Sequence, residues 1–196
     1  MPSLLGAYRF GNRLRNKAFT LLARQGFGSF GSHSVISLPF RSGQEHRVAI
    51  GKGVFIGPDC WIEVLAPREE DATPAIIIAD QVSISGSCTI TAVKQVRIGA
   101  GALIARFVHI SDHSHAFSDL DLPVKDQGVT NVAAVDIGEG AWIGHGVVIC
   151  PGVSIGRNSV IGANSVVNES IPDHCVAVGA PARVIRQMKV TGDFKL

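Results

Sequence analysis

Residues 135–172 read VDIGEGAWIGHGVVICPGVSIGRNSVIGANSVVNESIP, and the period of this stretch decides the fold. An aliphatic side chain recurs at every sixth position: Ile137, Ile143, Ile149, Ile155, Ile161 and Val167. Glycine follows four of them, at Gly138, Gly144, Gly156 and Gly162. Four residues after successive anchors stand Ala141, Val147, Val153, Ser159 and Ser165. A period of six suits neither an amphipathic helix nor simple strand alternation. It suits a parallel β-helix in which each hexapeptide is one short strand and one turn. Three hexapeptides then close a triangular coil, and coils stack about 4.8 Å apart, the spacing of neighbouring strands. The stiff branched anchor points inward and stacks on the one below. The glycine after it suits a tight corner. Stacking pairs every internal strand and leaves only the two ends of the stack as edges.

The same unit continues upstream. Anchors group as Ile50/Ile56/Ile62, Ile78/Ile84/Ile90 and Ile98/Ile104/Ile110, followed by the two groups within 135–172. The expected architecture is therefore all-β, with about five triangular coils over residues 46–170. Every break in the period leaves from the same corner, so segments 63–77 and 111–136 become loops on one edge, two coils apart. Long insertions in a regular scaffold are where function is expected.

Composition agrees. The chain of 196 residues contains 22 Val and 19 Ile against only 11 Leu, together with 22 Gly, the profile of many short strands and tight turns. Hydrophobic residues at 46% and charged residues at 17% exclude global disorder. A formal charge of +2 gives no reason to expect nucleic acid as a partner. No apolar run reaches the roughly 18–20 residues of a membrane span. Arg9, Arg13, Arg15 and Lys17 interrupt any secretory h-region, so a cytoplasmic location is expected. The four cysteines, Cys60, Cys88, Cys150 and Cys175, include no CxxC pair and are read as small buried residues.

The ends depart from the period. The first 44 residues carry six basic side chains and no acid, while the remainder holds 12 basic and 16 acidic residues. Residues 1–45 are read as a basic segment containing a helix over 10–25, with Phe10, Leu14 and Leu21 inward. It would act as a cap or subunit contact, or as a helix lying on the inner face of an acidic membrane. Residues 171–196 leave the period at Ile171-Pro172 and are expected to cap the other end with a short strand and a helix near Pro181–Met188.

One constellation can carry chemistry. Asp112-His113-Ser114-His115 follows the last anchor before the largest insertion. Two histidines one residue apart point to the same side of an extended chain, and histidine transfers protons near neutral pH. Asp112 could orient either one. A three-histidine zinc site through His109, His113 and His115 is not expected, because residues 47–108 contain no further histidine. Trp142 takes the outward position of its hexapeptide and offers a flat apolar platform; Trp61 holds the same slot in an earlier coil.

The stretch from Val135, together with AVGAPARVIRQ from Ala177 and the DHSH segment, resembles the hexapeptide-repeat acyltransferases over about residues 48–188. It is most similar to the maltose/galactoside O-acetyltransferase-like group that acts on bacterial surface polysaccharides. That resemblance implies a left-handed parallel β-helix assembled as a homotrimer, with active sites between subunits. It implies acetyl-CoA as donor, no metal, and a sugar or polysaccharide hydroxyl as acceptor. A loop histidine would be the general base. Counting five from Ile110 gives His115, which is preferred; aligning the first histidines gives His113, and both are retained. By position, Gly144 and Ala163 would offer backbone groups to CoA, and Trp142 would pack beside the pantetheine. Arg183 would meet the CoA phosphates, and His145 would line the donor groove. Ser85 stands where the family often places an acceptor-holding Asn. N-acetylation of an amino sugar, and a β-helix serving only as an assembly scaffold, are the competing expectations.

Overall fold

The computed structural model describes residues 3–65 and 73–188. The chain winds into a triangular prism with one parallel sheet on each face. The first face stacks six strands, ending in Val135–Ile137 and Ser154–Ile155. The third face also has six, and the second has eight. Registers are in phase from coil to coil: Ile50 pairs with Ile78, Ile84 with Ile56 and Ile104, and Ile110 with Ile90 and Ile149. The aliphatic anchors thus form three inward columns. Ile56, Ile62, Ile84, Ile90, Ile104, Ile110, Ile137 and Ile143 are fully enclosed, and the core is this stack of branched side chains.

Six coils are present, one more than the period of anchors suggests. Ser29–Phe30, Val35–Ile36 and Phe40–Gly43 pair in parallel with the three strands of the Ile50/Ile56/Ile62 coil. The β-helix therefore begins near Ser29 and not at 46. Phe30, Ile36 and Ser42 do keep the six-residue spacing. A phenylalanine and a serine in anchor slots hide it.

The corner glycines act differently from the expectation. Positive φ falls later in each turn, at Gly53, Gln81, Gly101, Gly140 and Asn158 on one corner, and not at the glycine directly after the anchor. That glycine is needed because coils approach closely. A Cβ on Gly138 would lie 2.6 Å from the Arg157 backbone nitrogen. Gly138→Ala should therefore destabilise the chain by about 1–3 kcal/mol through backbone displacement, read as a lower thermal midpoint.

Helix α1 spans Leu4–Ala23, starting earlier than expected because the Ser3 hydroxyl caps the Gly6 N–H at 3.1 Å. The expected inward residues are wrong: Phe10, Leu14 and Leu21 are all exposed. Thr20, Phe19 and Ala23 are the side chains packed down. The reason is the open strand edge beneath. Thr20 Oγ accepts from the Ile36 N–H at 3.0 Å and donates to the Asn16 carbonyl at 2.7 Å, with the Ile36 carbonyl 3.3 Å away. Asn16 Oδ1 accepts from the Leu38 N–H at 3.3 Å. Polar groups must face this edge to satisfy its backbone.

The C-terminal cap holds no helix near Pro181–Met188. Cys175–Gly179 joins the second face, and Ala182–Gln187 folds back on it as an antiparallel strand. Gly179, at φ 105°, opens a tight turn, and the branched Val184-Ile185 pair suits a strand. The buried hydroxyls of Ser159 and Ser165 close this end. They accept from the Cys175 and Gly179 N–H groups and donate to the Pro172 and Gly162 carbonyls. Residues 189–196 of the expected cap and 66–72 of the first expected loop lie outside the described residues.

Candidate active site

Both insertions leave the third face, after Cys60–Val64 and His109–Ser111, as the grouping of anchors implies. The larger one is braced. Ser114–His115 pairs antiparallel with Val129–Thr130. Gln127 Nε2 donates to the Asp119 and Leu122 carbonyls at 2.7 and 2.8 Å and holds the loop tip together. The Ala133 N–H returns to the Asp112 carbonyl at 2.8 Å and closes the base of the hairpin.

The hairpin overhangs a groove of about 360 Å³ on the third face, lined in part by Trp61, Thr89, His109, His113 and His115. Its floor follows from strand register. Trp61, Thr89 and His109 are stacked neighbours in one outward column, and Thr91 and Ser111 stack in the next. Trp61 is fixed from both sides: its Nε1–H donates to the Glu63 carboxylate, and the Arg41 guanidinium lies 4.7 Å from its ring centroid. Burial and the neighbouring His113 hold the His109 imidazole below its ordinary pKa.

Asp112 is the most constrained polar residue of the site. It is 0% exposed. Oδ1 accepts from the Val93 N–H at 2.8 Å, and Oδ2 accepts from the Lys94 and Gln95 N–H groups at 2.7 Å each. The remaining capacity of Oδ1 reaches His113 Nδ1 at 2.9 Å. The Ser111 hydroxyl lies 3.2 Å from the same Nδ1 and donates to the His113 carbonyl at 2.8 Å. With Nδ1 held by a carboxylate, the ring is fixed with Nε2 as its remaining nitrogen. His113 is buried, whereas His115, two residues further along the hairpin, is exposed.

The structure thus gathers Asp112, His113 and His115 around one groove. The other expected site residues lie elsewhere in the same chain. Ser85 and Gly144 stand on the corner between the second and third faces, with their N–H groups paired to Ile104 and Ile161. Trp142 faces outward from the second face and is 49% exposed. His145 stacks edge-on against Phe107 at 5.2 Å. Ala163 lies on the same corner, one coil beyond Gly144. Arg183, on the terminal hairpin, pairs with Glu169 at 3.0 Å. Of the groove residues, Thr89, Thr91 and Ser111 carry no mark in the sequence, His109 enters it only as an unexpected zinc ligand, and Trp61 only as sharing the slot of Trp142. They are legible only as outward positions of earlier third-face strands once the register is known. Among the described residues no cluster of three or more His, Cys, Asp or Glu side chains is arranged to hold a metal.

Residues 134–169 match the family model described as bacterial transferase hexapeptide (six repeats). The chain is 38% identical over 145 residues to a Mycobacterium tuberculosis protein named as a probable acetyltransferase, Rv3034c, covering 74% of this chain and 46% of that protein. It is 37% identical over 119 residues to Escherichia coli WbbJ, named as a candidate lipopolysaccharide-biosynthesis O-acetyltransferase, covering 57% of this chain and 60% of that one. The chain therefore spans about half the length of the curated relatives it matches. Among solved structures it is similar to AntD, an N-acyltransferase from Bacillus cereus in complex with coenzyme A and an amino sugar nucleotide. There the TM-score is 0.74 at 24% identity, over 87% of this chain and 89% of that one. A maltose O-acetyltransferase from Clostridium difficile matches with TM-score 0.58 and 29% identity, over 86% of this chain and 73% of that one. Repeat, fold and these likenesses together identify the chain as a hexapeptide-repeat protein of the left-handed β-helix class, similar to sugar acyltransferases.

Proposed function

We propose that the protein is an acetyl-CoA-dependent O-acetyltransferase acting on a sugar hydroxyl of a surface polysaccharide or its precursor. The observation that carries this reading is the buried Asp112 carboxylate, held by three backbone N–H groups and bonded to His113 Nδ1. An imidazole so oriented is a general base with one working nitrogen. We assign that role to His113, with Asp112 as its orienting residue and the more exposed His115 as a groove-wall residue.

The groove suits a sugar. The Trp61 ring offers an apolar face, and the hydroxyls of Thr89, Thr91, Ser111 and Ser114 surround it. His109, held toward its neutral form, adds a hydrogen-bonding imidazole to the groove.

The donor supplies an acyl thioester. His113 Nε2 takes the proton of the acceptor hydroxyl as that oxygen bonds to the acyl carbon. The carbon–sulfur bond breaks, and the proton passes on to the leaving thiolate. Donor contacts fit the second face and its corner. Among the described residues the exposed Ala163 has no protein partner for its N–H, which leaves that donor open to an amide-containing chain, and the Gly144 carbonyl on the same corner is likewise unpartnered but buried. Trp142 and Leu103 form an exposed apolar strip beside them. One chain places these groups and the His113 groove on different faces. A neighbouring copy, in a homotrimer, would bring its second face against the groove of the first.

Isothermal titration of acetyl-CoA into the purified chain, with its solution mass recorded, tests the reading. One saturable site per chain in a trimer is expected. A well-folded trimer that binds no acetyl-CoA would overturn it and favour an assembly scaffold.

A further inference from the structure

Helix α1 (Leu4–Ala23) is seated with its amphipathic pattern reversed. It satisfies the strand edge below with Asn16 and Thr20, polar residues one turn apart. Its apolar row therefore points away from the protein. Phe10, Leu14 and Leu21 recur at helical spacing and are 69%, 61% and 57% exposed, and Leu4 and Leu22 are exposed on the adjoining side of the helix. Arg13 and Lys17 lie four residues apart along the flank between the docked and apolar rows, Arg24 continues that flank, and Arg9 precedes Arg13 by one turn. None of these four forms an ion pair among the described residues. A cavity of about 300 Å³ opens where this flank meets the first coil, bounded by Lys17, Arg24, His33 and the Leu21 side chain. Thus cations line an apolar strip along the helix and also surround a recess beside it.

We propose that α1 is an in-plane anchor that docks the protein on an anionic bilayer. Its leucines and Phe10 would enter the headgroup boundary, and its basic flank would face lipid phosphates. Charge complementarity selects this occupant. A second copy laid on the same strip would bring two basic rows within about one Debye length, roughly 10 Å, and like charges would oppose the contact. An anionic surface attracts each such residue by a factor of about five in binding. Among the described residues no helix is long and apolar enough to cross a membrane, so docking is parallel to the surface. The inference is independent of acyl transfer, since it uses neither the groove nor the donor.

Vesicle flotation of the full chain tests it, with vesicles of phosphatidylcholine alone and of phosphatidylcholine mixed with phosphatidylglycerol. The salt concentration is about 0.1 M and then about 1 M, where the Debye length falls to about 3 Å. The chain should float with the anionic vesicles at low salt and remain behind with neutral vesicles or at high salt. The triple variant Arg13→Gln, Lys17→Gln, Arg24→Gln should bind about 100-fold more weakly. The triple variant Phe10→Ser, Leu14→Ser, Leu21→Ser should lose flotation while keeping its thermal midpoint and solution mass, since all three side chains are exposed. Failure of the unmodified chain to float with anionic vesicles overturns the proposal. So does unchanged flotation of the serine variant, or a smaller solution mass for it, which would make the strip a contact between copies.

Discussion

His113→Ala should lower the turnover of acetyl transfer by about 10²–10⁴-fold while leaving acetyl-CoA affinity within a few-fold of the unmodified chain. The magnitude follows from the role. Without a positioned base, the acceptor hydroxyl must give its proton to water while it attacks. Donor affinity should hold because the proposed donor contacts, Trp142, Gly144 and Ala163, lie on another face. His115→Ala is the control: the same hairpin and the same groove, but an exposed ring without the Asp112 bond. Its loss should stay below about ten-fold, as for a residue that only lines the acceptor groove. Initial rates from free-thiol release, with donor affinity measured by titration, separate the two. A large loss in His115→Ala beside a small one in His113→Ala would transfer the base to His115. Equal mild losses would exclude a single base.

Asp112→Ala should be the most destabilising single change at the site, at about 3–5 kcal/mol. The carboxylate is fully enclosed, and its removal strands the N–H groups of Val93, Lys94 and Gln95 together with His113 Nδ1. Each orphaned buried donor costs about 1–3 kcal/mol unless water reaches it. For a chain of this length the thermal midpoint should fall by roughly 10 °C. Asp112→Asn should be intermediate. Its amide NH₂ group cannot accept, so in either orientation at least one of the three N–H groups faces another donor. Calorimetry on both variants checks the order. Stability equal to the unmodified chain in Asp112→Ala would show that solvent enters this corner freely.

Much of the fold was legible because one residue type recurs at one spacing. Five of the six coils announce themselves by isoleucine or valine every six residues, and the two insertions by its interruption. The sixth coil keeps the spacing but fills its anchor slots with Phe30, Ile36 and Ser42, next to the capped end, where a uniform aliphatic stack is no longer required. The docked face of α1 departs from the expectation for a related reason. Apolar spacing predicts which side of a helix avoids water, not which side an unsaturated strand edge demands. The segment Ala182–Gln187 is a strand where a helix is expected because its state is set by the antiparallel partner Cys175–Gly179, a contact that six residues of sequence do not display. At the site, Asp112 and His113 stand out by composition. The groove floor does not, because Trp61 and His109 are 48 positions apart in the chain and meet only through the stacking of three coils.

The hydrogen bond from the Ile36 N–H to the Thr20 hydroxyl has a meaning for growth. A parallel β-helix is a one-dimensional crystal: each finished coil is a template for another, whichever chain supplies it. At the first coil, a threonine hydroxyl presents to the Ile36 N–H the acceptor that an incoming strand would present, while its own proton goes to the Asn16 carbonyl within the helix. It occupies that lattice position without offering one of its own. The helix is thus a terminator that recognises the edge by imitating a strand, and it limits how far the lattice can extend from that end.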